Sequence, residues 1–281
     1  MKDFKFILSL ILLLTACQPT AEKPQQTTQK VDKKEQLAQV SPHQPTTKTE
    51  SEENEYRNKN WRPSEGAYYF SEAYTWTYQN ELLAIDDPFR AGTFIVYCDP
   101  PTGTMLLTKS QAKFTDEMTE WIIIHPDENY TTAFIDVHGK PHIQKQKMVD
   151  FPDHAFRLTQ QEADFDKYFK KVGNTRKFGS NMYGWQTVQG IPFQMTFEQT
   201  KDTAELYLLE MPFSMRGLYL VKQTNPDLNF PVNLDFGYLL PENQLVLSDE
   251  IDFGGKKVFY ELTSITPGEY FVNTTTFLQD H

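Results

Sequence analysis

The segment TFIVYCDPPTGTMLLTK, residues 93–109, decides the fold class of this chain. Thr93–Cys98 and Thr104–Lys109 are largely apolar, whereas the five residues between them are rich in turn-forming types. Two short strands joined by such a turn pair as an antiparallel hairpin. The segment therefore predicts a sheet that is built from consecutive hairpins.

The same arrangement recurs on both sides of this hairpin. Downstream, Trp121–His125 and Tyr130–Val137 flank a turn, and His142–Val149 follows the next turn. Upstream, aromatic residues fall on one parity, which predicts a strand pair or one long strand with an aromatic face; they are Tyr68, Phe70, Tyr74, Trp76 and Tyr78. Further strands are expected at Met182–Val188, Pro192–Thr200, Ala204–Glu210, Leu245–Phe253 and Lys256–Ile265. The last two are expected to form a hairpin with its turn at Gly254-Gly255.

One helix is marked at both ends. Thr159 and Glu162 form a capping box, and Gly173 supplies a stop. Between them, apolar residues recur at helical spacing: Phe165, Tyr168, Phe169 and Val172. Met211–Gln223 fits either a helix or a strand, and Asn225–Pro241 is expected to be an irregular crossing. The fold class is therefore α+β and dominated by β-structure, with an antiparallel meander that forms an incomplete barrel packed on one or a few helices.

The amino terminus has the pattern of an export signal. Lys2 and Lys5 precede an apolar run over residues 6–14. That run is too short to cross a bilayer, which takes roughly 20 apolar residues. The following residues, Leu14-Thr15-Ala16-Cys17, resemble the lipobox of bacterial lipoproteins. This resemblance implies cleavage before Cys17 and attachment of lipid to it; an ordinary secretory signal with a chance cysteine is the alternative.

Composition then divides the chain into three parts: a signal peptide over residues 1–16, the lipidated Cys17 with a tether up to residue 60, and a single β-rich domain over 61–281. The tether has almost no large apolar residue and cannot bury enough surface to fold. Its seven basic and seven acidic residues cancel, whereas residues 61–281 hold 18 basic and 30 acidic ones, a formal charge of −12. So acidic a domain is unsuited to nucleic acid.

The order of strands resembles the LolA/LolB-like half-barrel group of lipoprotein carriers and its uncharacterised exported relatives. The likeness is carried by Gly92–Leu107, Glu120–Glu128, and Phe178–Gln186 with the strand that follows, and it extends over roughly residues 66–277. It implies an apolar concavity that holds an acyl chain or the lipid of another lipoprotein. The candidate lining residues are Phe94, Val96, Leu106, Trp121, Ile123 and Phe134.

Catalytic and metal-binding patterns are weak in this sequence. His138 and His142 straddle a turn near Asp136, Asp150, Asp153 and His154, but zinc requires three converging ligands, and we expect no metal and no cofactor. There is no Gly-x-Ser-x-Gly motif. Cys98 lies within a strand and is expected to be buried. Carboxylate groups such as Asp249-Glu250-Asp252 are common in so acidic a chain.

The expected function is that of a non-enzymatic lipoprotein of the cell envelope, anchored through Cys17, that binds a lipid or another apolar ligand. A structural or interaction lipoprotein without a small ligand is the alternative, and a glycan-acting enzyme is a weaker one. Gln18 is not the aspartate that retains enteric lipoproteins in the inner membrane, so the outer membrane is favoured. The sequence does not determine the oligomeric state.

Replacing Cys17 with serine tests the anchor. We expect the Cys17→Ser protein to lose incorporation of labelled palmitate and to leave the membrane fraction, because its acceptor thiol is gone. Cys98→Ser is the matched control and should keep both properties. Palmitate incorporation that persists without Cys17 would contradict the assignment.

Overall fold

The computed structural model describes residues 61–112, 114, 117–127, 129–148, 165, 169–179, 186–196, 203–225 and 240–280. The predicted signal peptide and tether therefore lie outside the described residues. The first six strands are β1 (Ala67–Asn80), β2 (Ala91–Asp99), β3 (Thr104–Thr108), β4 (Thr119–Ile124), β5 (Asn129–Ile135) and β6 (Pro141–Lys147). The others are β7 (Lys170–Lys171), β8 (Arg176–Phe178), β9 (Val188–Thr196), β10 (Thr203–Glu210), β11 (Gln244–Phe253) and β12 (Lys256–Asn273).

Short helices accompany these strands. They are a 3-10 turn at Pro63–Glu65, α1 (Lys109–Ala112), α2 (Arg216–Thr224) and α3 (Thr274–Asp280). Within the described ranges, no helix is long and apolar enough to span a membrane.

The described strands form one open antiparallel sheet. Its order is β6-β5-β4-β3-β2-β1-β12-β11-β10-β9-β7, with β8 paired to β9 outside this path. Two meanders are therefore joined where the first strand pairs with the last, from Ala67↔Asn273 to Asn80↔Val258. The prediction of a β-dominated antiparallel meander is confirmed at this level.

The hairpin predicted from residues 93–109 is present as β2 and β3. Its turn is held by Asp99, whose backbone carbonyl accepts hydrogen bonds from the N–H groups of Thr102 (3.1 Å) and Gly103 (2.9 Å). The Asp99 carboxylate also accepts a 2.6 Å bond from the Thr102 hydroxyl. Gly103 has a φ of +72°, a backbone angle that residues other than glycine rarely adopt.

Other predicted elements need correction. The predicted helix was expected to continue to Val172, but Lys170–Lys171 form β7 and pair with β9, so it ends earlier. Its helical bond from the Phe169 N–H to the Phe165 carbonyl, at 2.8 Å, is present. The capping box, most of the predicted Met182–Val188 strand and most of the 225–241 crossing lie outside the described residues. The ambiguous segment 211–223 contains helix α2.

Both faces of the sheet are buried over its centre. One face, here called the α2 face, carries Trp76, Val96, Leu107, Ile122 and Tyr260 and packs against helix α2. The opposite face, called the α3 face, carries Leu106, Trp121, Ile123 and Ala133, and Phe277 of α3 packs against it. The rings of Trp121 and Phe277 meet edge to face, with centroids 5.6 Å apart. Apolar residues at the centre of the sheet therefore pack into a core on either face.

The aromatic residues of β1 do not share one face, contrary to the prediction. Tyr68 and Phe70 belong to the α3 face, whereas Tyr74, Trp76 and Tyr78 belong to the α2 face. The pairing of β1 with β12 shifts register between Phe70 and Glu72. Such an irregularity turns the following side chains toward the other side of the sheet.

Leu106→Ala and Leu107→Ala test whether both faces are core. The two leucines are neighbours in β3, are 0% and 1% exposed and point to opposite faces. We expect each substitution to lower the free energy of unfolding by about 2–5 kcal/mol in denaturant titrations. Val137→Ala, at a residue that is 83% exposed, is the control and should change it by about 0.5 kcal/mol or less. A Leu106→Ala effect as small as that control would exclude a second core.

Candidate functional site

The six residues predicted to line one cavity lie on both faces of the sheet. Phe94 and Val96 belong to the α2 face. Leu106, Trp121 and Ile123 belong to the α3 face. Phe134 is partly buried near the edge of the sheet and stacks on His142, with ring centroids 5.0 Å apart. The structure therefore separates these residues into two groups, one on each face of the sheet. The reason is that β2, β3 and β4 are apolar at both odd and even positions.

A small apolar cavity lies between α2 and the sheet, next to Val96 and Cys98. The sheet contributes side chains to one side of it, and α2 with the residues before it contributes Met211, Phe213, Met215 and Leu218 to the other. Its volume is about 10 Å³. That is about the space that one water molecule needs, so the α2 face as described is closed to a larger ligand.

Cys98 lies at this cavity and is buried, as the sequence predicted. Burial raises the pKa of its thiol well above the ordinary value, and the nearby negative charges of Glu72 and Asp99 raise it further. A thiol that stays protonated is a poor nucleophile. Cys98 therefore acts here as a small apolar residue that lines the cavity.

Helix α2 approaches the sheet closely at Gly217. A Cβ atom at this position would lie 2.5 Å from Cγ2 of Ile124, which is inside any normal contact distance. The hydroxyl of Tyr130 donates a 2.6 Å hydrogen bond to the Gly217 carbonyl oxygen. Only glycine allows the helix backbone to lie this close to β4 and β5.

A second set of bonds attaches α2 to strand β11. The pairing of β11 with β12 begins at Ser248, so the preceding backbone groups of β11 lack a strand partner on that side. The Tyr219 hydroxyl donates to the Gln244 carbonyl at 2.7 Å and accepts from the Val246 N–H at 2.9 Å. The indole N–H of Trp76 donates to the Val246 carbonyl at 3.2 Å. Side chains thus complete the sheet where β12 diverges.

An ionisable residue lies in this apolar interior. Neighbouring strands place five residues in one row across the α2 face, in the order Phe193, Leu206, Asp249, Tyr260 and Tyr78. Asp249 is 5% exposed, and no described residue forms a hydrogen bond or an ion pair with it. Burial, with a smaller effect from the negative Glu250, raises the pKa of Asp249 to about 8.

The neighbour of Asp249 across the strand pair is equally isolated. The Tyr260 hydroxyl is buried and has no hydrogen-bond partner among the described residues. Burial raises the pKa of Tyr260 well above its ordinary value, and Asp249 and Tyr219 raise it further. Tyr260 lines a second void of about 10 Å³ together with Trp76, Phe94, Leu218, Tyr219, Leu245 and Val246.

The histidine pair considered as a metal site has a structural role. Asp136 accepts hydrogen bonds from the backbone N–H groups of His138 and Lys140, both at 2.9 Å, and contacts the His142 ring at 2.8 Å. These bonds lower the pKa of Asp136, with the Lys140 N–H making the largest contribution. Across the described part of the chain, no three His, Cys, Asp or Glu side chains converge to hold a metal. Asp150, Asp153 and His154 lie outside that part.

Asp249 was not predicted as a site residue, because it stands in an acidic run. The signal was its position in a strand that was correctly predicted. Every second residue of that strand around Asp249 is apolar, namely Leu245, Leu247 and Ile251. A carboxylate on the apolar side of such a strand is exceptional, whereas Glu250 beside it is exposed.

Comparison with protein-family models and with curated proteins found no match to this chain.

Asp249→Asn should remove a pH dependence of stability. The raised pKa means that the folded protein holds the Asp249 proton between about pH 4 and pH 8, whereas the unfolded chain releases it. The contribution of Asp249 to the free energy of unfolding is therefore greatest below pH 4 and falls as the pH rises to 8. Since one pKa unit is worth about 1.4 kcal/mol, the variant should be more stable than wild type by up to about 6 kcal/mol at pH 9.

The measurement is chemical denaturation of both proteins at pH 4 and at pH 9. The two proteins should differ little at pH 4, where Asp249 is neutral in both states. Glu242→Gln, which changes an exposed carboxylate, is the matched control and should alter stability little at either pH. A wild-type protein that equals Asp249→Asn at pH 9 would show that Asp249 is solvated.

Proposed function

We propose that this chain is a membrane-anchored lipoprotein of the cell envelope, carrying lipid on Cys17, whose domain binds a lipid or another apolar ligand without catalysis. The outer membrane is the favoured location. The observation that carries this proposal is the methionine-lined apolar cavity beneath α2. Ligand sites are typically apolar concavities with few polar groups, and the α2 face has that composition.

The proposal includes an incomplete barrel of the LolA/LolB-like kind. Its support is that helical residues from two parts of the chain pack on the same face of the sheet. Helix α2 covers the strands near Val96 and Leu245, while Phe165 packs against Phe193 of β9 with ring centroids 5.0 Å apart. A sheet that wrapped around these helical residues would offer one continuous apolar interior.

A ligand larger than water has to displace α2, and the helix is suited to this. Nine residues are too few for a stable isolated helix, so α2 depends on its contacts with the sheet. Methionine side chains at Met105, Met211 and Met215 adapt their shape readily and can repack around an acyl chain. In this proposal α2 occupies the ligand site until an acyl chain replaces some of the contacts between α2 and the sheet.

The second candidate is an interaction lipoprotein with a filled interior. It is favoured by exposed apolar residues in loops at one end of the sheet, namely Leu82, Ile85, Met118 and Val137. Ile85 is 89% exposed. Single exposed apolar residues are common, however, and these belong to separate loops. The binding module is therefore the better supported of the two.

Gly217→Ala distinguishes these functions. The added methyl group would meet Ile124 and weaken the docking of α2. If ligand binding requires α2 to move, weaker docking raises the fraction of the open state and tightens binding, about ten-fold for each 1.4 kcal/mol of docking energy lost. Binding of lysophosphatidylcholine below its micellar concentration, measured by calorimetry on the Cys17→Ser protein, should follow this expectation.

Cys98 provides an independent measurement, because it is the remaining cysteine once Cys17 is replaced. Gly217→Ala should increase the rate at which a thiol reagent labels Cys98 in the absence of ligand. Gly268→Ala is the matched control, since its Cβ would find only ordinary contacts, the nearest at 3.5 Å. No binding of the lysolipid by any variant would refute the binding module and favour the second candidate.

A further inference from the structure

Asp249 and Tyr260 are costly residues for a purely structural interior. Nearly all buried polar groups in proteins form hydrogen bonds, and burial without a partner is unfavourable for each such group. Here two of them are adjacent across the β11–β12 pairing, 5% and 3% exposed. Leucine and phenylalanine would fill the same space without this cost, so packing alone does not explain them.

Their position connects them to the closed cavity. Tyr260 lines the void that also touches Leu218 and Tyr219 of helix α2. Asp249 lies next to it in the row that crosses the α2 face, flanked on the other side by Leu206. A ligand that replaces Leu218 on this face would bring its end close to the two polar groups.

The protonation of both groups defines what they recognise. A carboxyl with a pKa of about 8 is largely protonated at neutral pH, and the phenol is protonated as well. Each therefore offers an O–H donor in apolar surroundings. The complement of two such donors is a hydrogen-bond acceptor, and the surroundings require that this acceptor be attached to an apolar chain.

We propose that Asp249 and Tyr260 form a polar subsite for the carboxyl or ester carbonyl group of a fatty acyl chain bound on the α2 face, each donating one hydrogen bond to it. This inference rests on the proposed function and specifies its ligand class. A cationic amphiphile is the competing ligand, because it would require an ionised Asp249. The two ligand classes therefore make opposite demands on the same residue.

The test compares three probes with one chain length: lauric acid, methyl laurate and dodecylamine. Their binding to the Cys17→Ser protein is measured by calorimetry at pH 6.5, alongside Tyr260→Phe and Asp249→Leu in the same background. No described residue forms a hydrogen bond with either buried group, so the variants should fold at least as stably, which thermal melts verify. Tyr97→Phe, on the α3 face, is the matched control for loss of a tyrosine hydroxyl.

Lauric acid and methyl laurate should bind the unaltered site, and each variant should weaken both about ten-fold, as expected for loss of one buried hydrogen bond. Tyr97→Phe should leave both affinities unchanged. Equal affinities in wild type and both variants would overturn the subsite while leaving the binding module intact. Preference for dodecylamine, lost in Asp249→Leu, would overturn it in favour of a cation site. Failure of all three probes would refute the proposed function itself.

Discussion

The pairing of β1 with β12 is the interaction on which the rest of the sheet depends. Within each meander, paired strands lie near one another in chain order, whereas among the described strands this is the pairing that joins the two meanders into one surface. The row that contains Asp249, Tyr260 and Tyr78 crosses it, so the candidate site exists only when both meanders are in register. The register shift after Phe70 also decides which β1 aromatic residues serve each core.

Local features of this fold could be predicted from the sequence, whereas long-range strand pairings could not. The Asp99–Gly103 turn and the Gly254-Gly255 turn are encoded by a few adjacent residues, and both hairpins were predicted. Nothing near Ala67 indicates Asn273 as its partner, because strand pairing over such a distance leaves no local pattern. Likewise, period-two alternation reveals two sides of a strand but does not tell which tertiary element covers each side.

The candidate site follows the same division. Burial of Cys98 followed from its strand context, and Phe94 and Val96 were correctly associated with each other. Leu106 and Ile123 were assigned to the same surface because apolar runs such as 105–107 and 121–124 have no polar side to orient them. The role of α2 depends on contacts of Gly217 and Tyr219 with distant strands, which composition alone does not encode.

The joining of the first and last strands also governs how the protein matures. A chain synthesised from its amino terminus presents β1 long before β12, so β1 waits with one edge unpaired. Non-local pairing of this kind slows folding and leaves strand edges open to aggregation in the meantime. The sheet is completed only after β12 has been synthesised, so the interval during which β1 stays unpaired is set by the length of chain between the two strands.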